Sequence, residues 1–88
     1  MPEVKIIVTH KVGLHARPAA IFVKAANKFA SDIQITKDDR TVNAKSILSV
    51  LTLGVNEGTE ITIHTEGEDA DAALEELVAL VKDNFGEE

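Results

Sequence analysis

The run Gly13-Leu14-His15-Ala16-Arg17-Pro18-Ala19 sets a nucleophile among groups that hold an anion. Proline suits the first turn of a helix, where a backbone N–H would have no acceptor, so Pro18 predicts a helix beginning near Ala16. His15 then sits at or just before the N-cap, a place where Ser, Thr, Asp or Asn would stabilise better. A helix start presents backbone N–H groups, here those of Ala16 and Arg17, and the positive end of the helix dipole. The Arg17 guanidinium adds a planar fork of donors matched to phosphate oxygens. An imidazole ringed by anion donors is suited to carry a phosphoryl group covalently, with His15 as nucleophile and Arg17 stabilising the phosphate.

A helix end contributes about 0.3–1 kcal/mol per unit charge at the surface, and up to ~2 when partly buried. That favours a phosphorylated form without driving phosphoryl transfer, which needs far more from positioning and charge stabilisation. The remainder must come from partner proteins, so the expected role is a carrier rather than a kinase. His10, in a loop, and His64, on the wet face of a strand, read as ordinary surface residues. Neither has an Asp, Glu or His partner at metal-ligand spacing, and no metal or other cofactor is expected.

A second cluster starts at Ser46, a good N-cap for a short helix running to Leu53 and ended by Gly54. Ile47, Leu48, Val50, Leu51 and Leu53 are too many apolar residues for one face of two turns. Val50 and Leu53 are assigned to the core. Ile47, Leu48 and Leu51 then form a second, exposed stripe, and exposed apolar patches mark interfaces. With Ala20, Lys24, Arg17 and Lys28 it makes an apolar docking surface with a basic rim.

The elements that position these groups follow from periodicity. Val4 to Val8 is rich in β-branched residues and reads as a strand. Ala19, Phe22, Val23, Ala26, Phe29 and Ala30 form one helical stripe, with Arg17, Lys24 and Lys28 opposite. Asp32 to Lys37 alternates apolar and polar residues, Asp38-Asp39 supplies a turn, and Arg40 to Asn43 pairs back as a hairpin. Glu60 to Thr65 is another half-wet strand. Asp69 opens a last helix carrying Ala73, Leu74, Leu77, Val78 and Val81 on one stripe, with Gly86 just beyond it. The order β-α-β-β-α-β-α, with strands that want one dry face, predicts an α+β two-layer open-faced sandwich: a four-stranded antiparallel sheet covered on one face by three helices.

The 88 residues read as a single domain, 1–88, with no repeat or linker. Without Cys there is no disulfide framework or thiolate metal site. The apolar run after Met1 stops at Val8 with Lys5 inside it, which argues against a secretory signal, and no stretch approaches the ~20 apolar residues a membrane span requires. A cytoplasmic protein is expected. Net charge is −6, and the aromatics are three Phe, a balance opposite to that of nucleic-acid binders. The charge is unevenly spread. Residues 1–30 hold five basic side chains against Glu3, or +4, and residues 31–88 hold four basic and fourteen acidic, or −10. The basic third is the one that carries the anion-holding run.

That run resembles the phosphorylation motif of the histidine-containing phosphocarrier (HPr) family of the bacterial sugar phosphotransferase system. Asn43-Ala44-Lys45-Ser46-Ile47-Leu48 resembles the family's second motif, and the likeness covers the whole chain. Two motifs at the right separation lift His15 out of the ordinary-surface reading. The resemblance implies that His15 accepts phosphate on Nδ1 from enzyme I and donates it to enzyme IIA proteins, phosphoenolpyruvate being the ultimate source. A monomer is expected. The resemblance adds a regulatory serine kinase acting on Ser46 in many relatives, others keeping the Ser without the kinase, and a catabolite-control transcription factor as a further partner. His15 separates the chain from regulatory homologues lacking this His, and Pro18 from nitrogen-branch paralogues. Two rivals are a small-ligand regulatory domain, which would need a Gly-rich ligand loop that is not seen here, and a purely regulatory protein acting through Ser46 with His15 idle.

Overall fold

The computed structural model describes residues 2–11 and 13–86. Strand β1 (Glu3–Ile7) leads to helix α1 (Ala16–Ala26), then to strands β2 (Asp32–Lys37) and β3 (Arg40–Asn43). Helix α2 (Ile47–Leu53), strand β4 (Glu60–Glu66) and helix α3 (Ala70–Lys82) follow, with a 3₁₀ turn at Asn84–Gly86. The strands form one antiparallel sheet in the order β1-β4-β2-β3. The architecture is the expected α+β open-faced sandwich.

The register follows from alternation. Ile33 and Ile35 on β2, with Ile61, Ile63 and Thr65 on β4, all point to the helix side and are buried. Opposed pairs such as Ile35 with Ile63 therefore stack on the dry face, while Gln34 faces His64 on the other. On α1 the dry stripe is Ala19, Phe22, Val23 and Ala26, and on α3 it is Ala73, Leu77 and Val81. Leu74 and Val78 are half-buried at the edge of the α3 stripe.

One expectation at a helix end is corrected. The α1 stripe stops at Ala26, with Phe29 half-buried on the following turn and Ala30 exposed. Asn27 ends the helix by donating from Nδ2 to Val23 O (2.9 Å) and to Lys45 O (3.1 Å), which ties the end of α1 to the approach to α2. Lys45 Nζ reinforces this tie by donating to Phe29 O (2.7 Å). Helix α3 ends at Lys82 as expected, with Gly86 beyond it, and the chain turns back so that Phe85 is buried against Phe22.

Asp69 has a task beyond opening α3. Its carboxylate accepts hydrogen bonds from Ala30 N (3.0 Å), Ser31 N (2.9 Å) and the Ser31 hydroxyl, clamping the α1–β2 connection to the start of α3. The Ser31 hydroxyl, with the Ala30 amide next, holds the Asp69 carboxyl below the usual carboxylate range.

Candidate functional site

His15 is the N-cap of α1, with extended backbone (φ −128°, ψ 157°) and a half-buried ring. It makes no side-chain cap hydrogen bond, so its ring is not spent on the helix's own amides. The first main-chain bond of the helix is the long Ala19 N to His15 O contact at 3.5 Å. Since Pro18 has no N–H, the amides that open the helix without an intrahelical acceptor are those of Ala16 and Arg17. No acidic residue occupies this first turn, so the positive helix end is not neutralised from within. Ala16 and Arg17 are exposed, while Pro18 beneath them is buried. Ala16 has φ +49°, the left-handed region, which costs an L-residue about 1–2 kcal/mol. Strain of this kind gathers at functional sites.

The loop carrying His15 is held by a second loop that the sequence did not single out. Leu14 N donates to Val55 O (3.0 Å), and both residues are fully buried. This approach requires a glycine before Leu14. Gly13 has φ +74°, and a Cβ there would lie 2.3 Å from Val55 O and 2.7 Å from Asn56 Cα. The zipped loops bring Asn56 Oδ1 to 2.9 Å from His15 Nε2. Nothing local in the sequence marks that contact, which spans 41 positions.

Ser46 caps α2 as expected, its hydroxyl accepting from Ser49 N (3.3 Å), and Gly54 closes the helix in the left-handed conformation. The two faces of α2 separate as the apolar count requires. Val50 and Leu53 are buried, whereas Ile47, Leu48 and Leu51 are 41%, 70% and 37% exposed. Ala20 and Lys24 lie exposed on α1, against which α2 packs. Lys28 forms a surface ion pair with Glu76 of α3 (2.6 Å), a pair worth about 0–1 kcal/mol.

The other two histidines are not ordinary surface. His10 is only 6% exposed and meets the edge of Phe85, ring centroids 5.6 Å apart, because the chain after α3 folds back over it. His64 is half-buried between Glu3 Oε1, 3.1 Å from Nδ1, and Thr36 Oγ1, 3.2 Å from Nε2. Glu3 faces His64 directly across the β1–β4 pair. Among the described residues no group of three or more His, Cys, Asp or Glu could hold a metal ion, and no helix is long and apolar enough to cross a membrane.

A family model described as "PTS HPr component phosphorylation site" matches residues 2–83. The chain is 49% identical to HPr-like protein Crh of Bacillus subtilis, covering 94% of this chain and 98% of that one. It is 46% identical to phosphocarrier protein HPr of Vibrio cholerae, covering 92% and 95% respectively. The crystal structure of HPr-C-His from Thermoanaerobacter tengcongensis superposes with a TM-score of 0.98 at 49% identity, over 100% of this chain and 99% of the other.

Proposed function

Since the chain belongs to the HPr family of phosphocarriers, we propose that it carries a phosphoryl group on His15 Nδ1 between enzyme I and enzyme IIA proteins of a sugar phosphotransferase system. The observation that carries this reading is the placing of His15 at the start of α1. The ring caps nothing, the amides of Ala16 and Arg17 open the helix beside it, and no acidic residue lies in the first turn. Arg17 is exposed two residues on, where its guanidinium supplies a second source of positive charge for a dianionic phosphoryl group.

His15 acts as the nucleophile. Its lone pair forms an N–P bond as the bond from phosphorus to the donor breaks; in the onward transfer the next acceptor's nucleophile bonds phosphorus as the N–P bond breaks and its electron pair returns to Nδ1. The helix end and Arg17 stabilise charge on the phosphoryl oxygens, by an amount too small to account for fast transfer unaided. The exposed stripe of Ile47, Leu48 and Leu51, with Ala20 and Lys24, supports a docking role in which the partner supplies the remaining donors. We place the protein in the cytoplasm as a monomer.

Incubation with phosphoenolpyruvate and enzyme I tests the reading. Acid-labile phosphate should appear on the wild-type chain and not on His15→Ala, whose circular dichroism should match wild type. Labelling of His15→Ala would remove His15 from the role. A chain that takes no phosphate on His15 and is modified at Ser46 would instead be a purely regulatory protein.

A further inference from the structure

We propose that Asn56 is a positioning residue for the phosphoacceptor: its amide oxygen keeps the proton of the neutral His15 ring on Nε2 and leaves Nδ1 as the bare nucleophile. This rests on His15 being the acceptor, as inferred above, and adds what selects the reacting nitrogen.

A neutral imidazole has one N–H and one lone pair, and the hydrogen bond at one nitrogen decides the state of the other. Asn56 Oδ1 lies 2.9 Å from His15 Nε2, and no described residue hydrogen-bonds Nδ1. An amide oxygen only accepts, so Nε2 must donate. The orientation of the Asn56 amide is itself settled by its other end, because Nδ2 donates to Gly54 O at 3.4 Å. A flipped amide would set oxygen against that carbonyl oxygen. The backbone holds the residue in place, with Asn56 N donating to Thr59 Oγ1 (3.1 Å) and the Leu14–Val55 bond one position away.

The same contact strengthens during transfer. As Nδ1 gives its lone pair to phosphorus, the ring becomes a phosphoimidazolium and Nε2–H a charged donor. Charge-assisted hydrogen bonds are roughly twice as strong as neutral ones, so Asn56 stabilises the phosphorylated ring more than the free ring.

The test uses the full chain, ¹⁵N-labelled, at a pH where the ring is neutral, with long-range ¹H–¹⁵N spectra reading the tautomer. Phosphoramidate serves as an enzyme-free donor. Its P–N bond breaks as the Nδ1–P bond forms, ammonia leaves with the electron pair, and Nε2 keeps its proton. Wild type should show a pyrrole-type Nε2 and a pyridine-type Nδ1. In Asn56→Ala the ratio of Nε2–H to Nδ1–H should fall about five-fold. At about 1.4 kcal/mol per decade that is ~1 kcal/mol, the net value of one neutral hydrogen bond. Phosphate uptake from phosphoramidate should slow by a similar factor. Asn56→Asp, which can only accept, should keep the wild-type tautomer. A wild-type ring protonated on Nδ1 overturns the proposal with no variant needed, and so does an Asn56→Ala chain with unchanged tautomer ratio and uptake. If neither donor, phosphoramidate or phospho-enzyme I, labels His15 in wild type, it is the acceptor reading that falls, while the spectra still report what Asn56 does to the ring.

Discussion

Replacing Gly13 by Ala should both destabilise the fold and disturb the site, and the size of the effect follows from two observations. Gly13 has φ +74°, which costs an L-residue about 1–2 kcal/mol. The new Cβ would lie 2.3 Å from Val55 O and 2.7 Å from Asn56 Cα, and both are backbone atoms that cannot swing aside. Relief requires the loops to part, which stretches the buried Leu14 N to Val55 O bond and exposes a desolvation penalty of about 1–3 kcal/mol. Together these give about 2–5 kcal/mol, a large share of the ~5–13 kcal/mol expected of a domain this size. With a urea m-value near ~1–1.5 kcal/mol/M, the midpoint should fall by about 1.5 M or more in far-ultraviolet circular dichroism. Gly58 supplies the control. It has φ +84° and nothing within 4 Å of its Cβ position, so Gly58→Ala should cost only the conformational 1–2 kcal/mol or so. If the two variants unfold at the same urea concentration, close approach of the loops is not what Gly13 provides.

Arg17→Ala should leave the melting temperature within about 2 °C of wild type, as exposed surface substitutions do, yet slow phosphate uptake from enzyme I at least ten-fold; a lower melting temperature with unchanged transfer would refute its role. Ser46→Asp keeps a good N-cap and adds a negative charge where the α2 dipole favours it, so melting should be unchanged or slightly raised. Its charge adjoins the exposed stripe of Ile47, Leu48 and Leu51, so uptake from enzyme I at subsaturating carrier should slow several-fold, and equal rates would place α2 outside the docking surface. Asp69 makes stability depend on pH: because the folded state holds its carboxyl below the unfolded value, its contribution is full above about pH 4 and is lost as pH falls through the depressed folded value. Urea midpoints of Asp69→Asn and wild type should therefore differ most near neutrality and converge in acid, and a constant gap down to pH 2 would contradict this.

What could be read from the sequence was what neighbouring residues determine. Ser46, Gly54 and the surplus of apolar residues between them give α2 its ends and its two faces without reference to the rest of the chain. Pro18 likewise fixes the start of α1 and so the place of His15. What escaped depends on distant segments. His10 is buried only because Phe85 folds back over it, and His64 meets Glu3 only through the register of β1 on β4. Asn56 reaches His15 because Gly13 lets two loops close. The overlong α1 stripe failed for a related reason. Phe29 keeps the helical spacing, but Asn27 and Lys45 draw the chain toward α2 before the helix can include it.

The strand order also bears on how the chain is made. Strand β4 lies in the middle of the sheet, hydrogen-bonded to both β1 and β2, although it is the last strand in the sequence. A nascent chain that has not yet delivered residues 60–66 has only the β2–β3 hairpin, and a lone two-stranded hairpin is marginal in water. Strand β1 waits meanwhile for a partner that pairs Glu3 with His64. Folding during synthesis must therefore hold off until residues 60–66 have left the ribosome, and the loop carrying His15, whose partner Asn56 lies just ahead of β4, is assembled only at that late stage.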